Sequence, residues 1–553
     1  MKTSHINAIV AACLALVCGS SHAVKIETES VSGSFDSTIS VGTGVRLHDP
    51  SPSLILSGNT GGPNGIAAPV ASGLGDQGDL NYKSGDPFTA YLKGSHELSL
   101  QLPAGLRFLG RVNWIEDFAA TKTTGWMSSM SAAPAVGADG LTEDARSDLK
   151  SKVRVLDFWV SKSFDVGQQQ ARLRVGNQVI NWGESIMTPG GINATNPVDI
   201  MRLSQPGTQL KEAILPTPTI SLASGLADGL NAEFYVQTQW KANDMPPAGS
   251  YWSVVNGLGK GKQAYGVSEV GAKNSGQWGA ALRWTPANTS LDLGFYALNY
   301  HDKTAQVFLD QTTFATTLVY PEDRKLYGIS ANFPLGDWAM GTELSYRPKD
   351  AVFLNPNTTG CASQGGKCWV DEEKLQWHLT GLLQLSPGNA RGFLDAVGAN
   401  NGLILAELVV IHYPKLKSTY GPDAVAAGAW GWGNEVAPGF DPVDAANRTV
   451  PVGTKTSAGL NLDVSVTYDG NLLPGWQVTP GLTLSWALAG RTPNIQGTWM
   501  EGAKTGNLYL NFTQNPATWQ FGVNYAFFRG GSSVFDQTLR DRDFIGAYAN
   551  YNF

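Results

Sequence analysis

The sequence predicts an all-β protein: a transmembrane, antiparallel, up-and-down β-barrel of about 18 strands, with about 14 to 18 accepted. Three observations carry this prediction. Apolar and polar residues alternate with period two along much of the chain. The connections between the alternating stretches are by turns short and long. The chain also finishes on "DRDFIGAYANYNF", an alternating aromatic stretch whose last residue is Phe553.

Composition sets the frame. The chain has 553 residues, of which 15% are charged, against roughly 25% in ordinary soluble domains. Gly is abundant at 64 residues, and aromatics make up 10%. The formal net charge of −7 gives no basic field, so nucleic acid is excluded as a partner. Mean hydropathy is only −0.13, and after residue 23 no apolar run approaches the roughly 18 to 20 residues of a membrane helix.

Residues 1–23 read as a cleaved signal peptide. Lys2 supplies the positive start, 6–17 is apolar apart from Asn7, and Ser21 and Ala23 form the small-x-small cleavage pattern. A lipoprotein signal at Cys13 fits less well, because the apolar stretch before it is short, and Val17 before Cys18 is too large. The remainder, 24–553, is expected to be a single barrel domain. Its two cysteines, Cys361 and Cys368 in "GCASQGGKCW", are expected to form a small disulfide loop in an exported chain. Two thiols without a nearby His are poor zinc ligands, so no metal and no cofactor is expected.

Strands are expected near 34–47, 88–101, 105–117, 152–165, 170–182 and 215–223. They continue near 230–241, 276–285, 289–300, 325–334, 336–347 and 373–386. The last six lie near 401–412, 456–469, 474–488, 503–514, 517–529 and 542–553. Within them the faces separate. Leu460, Leu462, Val464 and Val466 alternate with Asn461, Asp463, Ser465 and Thr467. Leu375, Trp377 and Leu379 alternate with Gln376, His378 and Thr380. Short turns such as "PAG" (103–105), "PLGD" (334–337) and "NPA" (515–517) alternate with long segments near 48–87, 118–151, 183–214, 242–275, 301–324, 348–372 and 413–455. That layout is expected of an outer-membrane barrel, with short turns in the periplasm and long loops outside. The barrel must close, because unpaired backbone cannot be left in lipid. The connection 387–400 is longer than its neighbours on the short-turn side. Trp240, Tyr300, Trp377, Trp486, Trp519 and Tyr551 are expected in the interfacial aromatic girdles.

From Ser32 onward the chain resembles the Gram-negative outer-membrane proteins grouped as domain of unknown function 1302. The resemblance sits in "GSFDSTISVGTGVRLHDPSPSLI" (33–55), "GDLNYKSGDP" (78–87), "RVGNQVINWGES" (174–185), "GGINATNPVDIMRLSQPGTQLKEAILPTPTISL" (190–222) and "NAEFYVQTQW" (231–240). It is clearest in the N-terminal half. The resemblance implies envelope traffic of a hydrophobic or lipid-like compound, in company with a periplasmic lipid-carrier-like protein and an inner-membrane exporter. Barrel-assembly machinery and outer-membrane lipid are the other partners expected.

No covalent chemistry is expected. "HELS" offers His96 and Ser99, but residues three apart on a strand face opposite sides. The functional element expected is the Gly-, Pro- and Asn-rich segment 183–222, whose part 183–214 folds inward as a constriction or plug, with Glu184, Asp199, Arg202, Lys211 and Glu212 as pore-lining candidates. An external cap is the alternative. Arg172 and Arg174 alternate with Leu173 and Val175 and so are expected to face the lumen, as is His378. "WSVVNG" (252–257) and Trp430 and Trp432 in "AWGWGNEVAPGF" would present apolar surface to a solute, or pack against neighbouring loops.

Overall fold

A computed structural model of the chain describes residues 24–51, 54, 60–61, 67–68, 76–125, 136–313, 315–354, 361–428, 451–532 and 534–553. The signal-peptide segment and Trp430 and Trp432 lie outside the described residues. A 19-stranded sheet dominates the structure. Eighteen of its strands form the barrel. They begin with β1 (Ser32–Arg46), β2 (Pro87–Leu102), β3 (Leu106–Asp117), β4 (Ser151–Val166), β5 (Gln169–Gln178) and β6 (Thr217–Ala227). Next come β7 (Leu230–Gln237), β8 (Gln277–Trp284), β9 (Asp292–Tyr300), β10 (Arg324–Leu335), β11 (Trp338–Phe353) and β12 (Trp369–Leu385). The set ends with β13 (Asn401–His412), β14 (Thr456–Asp469), β15 (Trp476–Ala489), β16 (Lys504–Gln514), β17 (Trp519–Arg529) and β18 (Phe544–Asn552).

Each strand pairs antiparallel with the next, and β18 pairs with β1 from Thr38↔Asn552 to Arg46↔Phe544. The cylinder is therefore closed. The remaining strand of the sheet, Val24–Glu27, pairs with Ser32–Phe35 of β1. It extends the ladder below the point where β18 has run out. The short-turn side carries one longer connection, and helix Arg391–Val397 fills it.

The outward face is apolar and exposed: Val160, Leu173, Val175, Ile220, Leu222, Phe234, Ile329 and Val523 all point away from the lumen. Exposed apolar side chains in such a continuous band are stable only against lipid. On β4 the alternation slips. Val153 and Val155 face out, then Phe158 and Val160 do, with Leu156 and Asp157 both buried between them. The register shift between Gly110 and Val112 on β3 marks the bulge that absorbs this extra residue. Two girdle expectations need correction. Tyr300 is 5% exposed and its hydroxyl accepts from Arg347 Nε at 2.9 Å, so it belongs to the interior. Trp240 lies beyond the end of β7 and packs on Tyr320, ring centroids 4.6 Å apart, among the long loops.

The long loops form a packed cap. Cys361 and Cys368 are joined by a disulfide and sit in a buried cluster with Val255, Leu258, Val307 and Phe353. Trp252 is also buried, edge-on to Phe88 and Phe544. Apart from Val254, which is half-buried, the 252–257 segment is thus internal packing.

Where β1 and β18 close the barrel, two buried arginines tie loops together. Arg46 Nη1 meets Asp79 Oδ1 at 2.7 Å, and Arg46 Nη2 lies 3.3 Å from Asp541 Oδ2. Arg542 meets Asp76 at 2.5 Å and Asp79 at 3.1 Å, and Arg542 also donates to the Ser253 carbonyl at 2.5 Å. Three carboxyls share two guanidinium groups. Burial pushes Asp76 up to about 7. Burial and then the charge of Asp79 push Asp541 up to about 8. Burial also opposes ionisation of Asp79, but Arg542 and Arg46 outweigh it and hold that carboxyl below its ordinary value.

Two predictions arise. Arg in place of Leu222, at the middle of the lipid-facing side of β6, should destabilise the folded barrel by about 2–4 kcal/mol, whereas Asn507→Lys on the luminal face should cost far less; urea titration in lipid vesicles reads both. The raised Asp76 and Asp541 favour folding most below the ordinary carboxylate value, and that contribution disappears as pH rises through about 7 and 8. The unfolding temperature should therefore fall between about pH 4 and 8, and Asp541→Asn should flatten the dependence.

Candidate functional site

The segment 179–216 joins β5 to β6 and enters the lumen. Its local chemistry explains why β5 stops at Gln178. Asn196 Oδ1 accepts from the Ile180 amide at 3.1 Å, and Asn193 Oδ1 accepts from the amides of Trp182 and Gly183 at 2.9 and 3.0 Å. Asparagine side chains thus take hydrogen bonds that a strand would give to its ladder. Trp182 turns inward against Tyr235 and Tyr296, and its Nε1 donates to Glu233 at 2.9 Å. Residues 179–182 accordingly belong to the loop, a correction to the expected strand 170–182.

Two carboxylates on the opposite wall hold this loop. Glu343 of β11 accepts from the amides of Glu184, Ser185 and Ile192 at 2.6, 3.3 and 2.9 Å. Glu407 of β13 accepts from Ile186, Met187 and Thr188 at 3.1, 3.0 and 2.8 Å. Five consecutive amides, 184 to 188, therefore end on two side chains that are 1% and 0% exposed. An unpaired buried amide costs about 1–3 kcal/mol, and bonds to a charged acceptor are the stronger kind. His378 of β12 lies between the two: Nδ1 is 2.9 Å from Glu407 Oε1, and Nε2 is 3.9 Å from Glu343 Oε1. Gln376 Nε2 donates to the Pro189 carbonyl at 3.1 Å and meets His378 Nε2 at 2.9 Å. That assigns the proton to Nδ1, where it is donated to Glu407. Arg347 Nη2 completes the clamp on the Gly191 carbonyl at 2.8 Å. A Cβ at Gly191 would collide with Glu343 Oε1.

The second half of the loop crosses to the closing seam. Asp199 caps the short helix Ile200–Ser204 by accepting from the Arg202 amide at 2.9 Å, and it pairs with Arg154 of β4. Lys93 of β2 pairs with Glu212 at 2.8 Å and donates to the Gly207 carbonyl at 2.9 Å. Tyr91 donates to the Pro206 carbonyl at 2.7 Å. Gly207 has φ +67°, and an added Cβ would stand 2.7 Å from the Tyr548 ring, so this tip tolerates only glycine.

The loop thus meets β7 to β14 on one side and β18, β2 and β4 on the other. The two sides differ in consequence. Inward residues of β11 to β13 (Ser345, Gln376, His378 and Glu407) are 0% exposed. Inward residues of β15 to β17 (Thr483, Asn507, Tyr509, Asn511 and Asn524), with Asp463 of β14, remain half-buried, whereas Ser457, Asn461 and Ser465 of β14 are buried. They hydrogen-bond mainly to one another: Tyr509 to Asp463 at 3.0 Å, Thr483 to Asp463 at 2.5 Å and Asn524 to Asn507 at 2.7 Å. Above them, on the long-loop side, lies a cavity of about 270 Å³ lined by Ser485, Thr505, Ile495, Trp499, Met500 and Phe535, among others.

The expected site residues fall into distinct environments. Arg172 is exposed and Arg174 half-buried on the luminal face of β5. Glu184 is half-buried and joins the clamp through its amide. Asp199 and Glu212 are buried against Arg154 and Lys93 of the wall, and Arg202 is buried within the loop, donating to Gln205 at 2.7 Å. They do not line an opening, because neutralised partners meet them on the wall. Lys211 is exposed. His378 is sealed behind the loop. Reading spacing alone missed its partners Glu343 and Glu407, although a lone carboxylate inside "LILAELVVIH" was a usable signal. On the outer face, His96 Nδ1 meets Ser37 Oγ at 2.9 Å and Trp114 donates to Nε2 at 3.0 Å. The ring proton therefore points at Ser37, the reverse of what a base activating a serine needs. Ser99 lies on the other face of β2.

A closed 18-stranded barrel with an apolar outer band defines an outer-membrane β-barrel of the Gram-negative type. The chain belongs to the family described as protein of unknown function (DUF1302), whose model matches residues 5–553. No curated protein matches it. Among solved structures it is similar to OccAB1 of Acinetobacter baumannii, with 10% identity and a TM-score of 0.43 over 96% of this chain and 98% of that one. OpdK of Pseudomonas aeruginosa with vanillate is similar at 10% identity and a TM-score of 0.42, covering 95% and 98%. OmpF of Salmonella typhi in complex with daunomycin follows at 8% and 0.36, covering 96% and 100%.

Glu407→Ala strands the amides of 186–188 without acceptors, and Gly191→Ala pushes Glu343 aside. Hydrogen exchange at 184–188 should accelerate by at least about tenfold in either variant, the equivalent of about 1.4 kcal/mol, while exchange in β16 and β17 stays unchanged.

Proposed function

We propose that the protein is an outer-membrane channel in which the inward loop closes most of the lumen and leaves one eccentric route beside β15 to β17. The observation that carries this reading is the contrast between the buried inward residues Ser345, Gln376, His378 and Glu407 of β11 to β13 and the half-buried inner faces of β15 to β17. The mouth cavity beside Ser485 and Thr505 stands in line with that route. Its lining mixes Trp499, Met500, Phe535 and Ile495 with hydroxyl and amide groups, and the wall below is mostly uncharged and polar. This suits a solute with an apolar body and polar groups of its own. A hydrophobic or lipid-like solute is the reading drawn from the family resemblance, and the lining favours its amphipathic members. On the same reading a periplasmic lipid-carrier-like protein and an inner-membrane exporter would be its partners across the envelope, outer-membrane lipid would cover the apolar band, and barrel-assembly machinery would insert it.

Planar-bilayer recording tests the route. The wild-type barrel should conduct with a small unitary current. Asn507→Trp with Asn524→Trp should reduce that current several-fold, whereas Glu343→Ala with Glu407→Ala should raise it by loosening the loop. A barrel that conducts in none of these forms, and admits no apolar solute into vesicles, would sink the channel reading in favour of a plugged binding or assembly barrel.

A further inference from the structure

Most inward-facing arginines of the barrel wall are committed. Arg111 pairs with Glu97 at 2.6 Å and Asp157 at 2.8 Å. Arg154 pairs with Asp199 and Asp244. Arg283 donates to the Trp182 carbonyl at 2.9 Å, and Arg347 serves Tyr300 and Gly191. Three are not. Among the described residues, Arg107 of β3 and Arg172 and Arg174 of β5 have neither an ion pair nor a side-chain hydrogen bond. They share one patch. Arg107 is paired with Ser161 and Ser161 with Arg174, so the two arginines stand in one row two strands apart, about 10 Å by strand spacing. Arg172 is two residues along the same face as Arg174. All three lie toward the short-turn end of their strands, below the inward loop.

The nearby carboxylates are already occupied. Glu97 and Asp157 serve Arg111, and Glu233 accepts from Trp182 Nε1. Arg174 is fixed against the Trp159 ring, with Cζ 4.2 Å from the centroid. That stacking uses the face of the guanidinium and leaves its donor edge unserved. Its Nε is buried with no hydrogen-bond partner. A buried donor without an acceptor, beside two exposed guanidinium groups that have no ion pair, has the chemistry to take an anion's oxygens.

We infer that Arg107, Arg172 and Arg174 form a binding site for an oxyanion, a carboxylate or phosphate, at the periplasmic side of the loop. Under the channel reading on which this builds, the anion is the acidic head of an amphipathic solute. The forked guanidinium groups take the two oxygens of one acid group, and Ser161 and Trp159 form the floor of the site.

The test is calorimetric binding of octanoate to the full-length barrel in an uncharged detergent, so conduction plays no part in it. Octanoate should bind at one site, octan-1-ol should not, and Arg172→Gln with Arg174→Gln should weaken binding by at least about tenfold. Arg172→Lys keeps the charge but loses the fork and should fall between, which covers the case where the double variant does not fold. Inorganic phosphate competing with octanoate supports the shared chemistry. Phosphatidylglycerol that binds, and is weakened by the same substitutions, while octanoate shows no site assigns the same arginines to a lipid headgroup. Binding that octan-1-ol matches, or that the substitutions leave unchanged, overturns the proposal. A barrel that binds octanoate but never conducts keeps the site and removes the channel.

Discussion

Two buried carboxylates decide what kind of barrel this is. Without Glu343 and Glu407, the segment 184–192 would have to desolvate its amides with no acceptors, and it could not rest against the wall. Six amide groups converge on these side chains, so the loop's path is fixed from the wall inward. Glycine at 191 and asparagine at 193 and 196 follow from that path: one makes room for Glu343, the others satisfy the backbone that has left the ladder.

The clamp also explains why charge is unevenly available inside the lumen. A closed β-barrel puts polar residues inward, but a loop packed across it consumes many of them. Glu212 is spent on Lys93, Asp199 on Arg154, and His378 on Glu407. What remains for a solute is what the loop does not reach: the amide and hydroxyl wall of β15 to β17 with Asp463 of β14, and the arginines of β3 and β5 below it. Under the proposed channel reading, a wall charged only at Asp463 and a basic patch without ion pairs suit molecules whose polarity is concentrated at one end.

Much of the fold was legible because lipid imposes a simple rule. Each strand must be apolar on one face and hydrogen-bonded on both edges, so alternation and loop length located all eighteen strands within a few residues. The departures have local causes. Residues 179–182 alternate like a strand, yet Asn193 and Asn196 draw them into the loop. Tyr300 reads as a girdle residue, yet Arg347 holds it inside. Trp252 reads as a loop aromatic that either faces a solute or packs against its neighbours, and Phe88 and Phe544 enclose it.

By itself, then, the sequence determined the barrel, its strand order and the side on which most strand residues stand, because those follow from period two and from closure. Pairings between residues far apart in the chain were decided only by the tertiary structure. Glu343 and Glu407 lie some 150 to 220 residues from the amides they bind, and nothing in local spacing links them. The same holds for the arginines: alternation turned Arg172 and Arg174 inward, but only the packed lumen shows that they, with Arg107, have no ion pair among the described residues while their neighbours do.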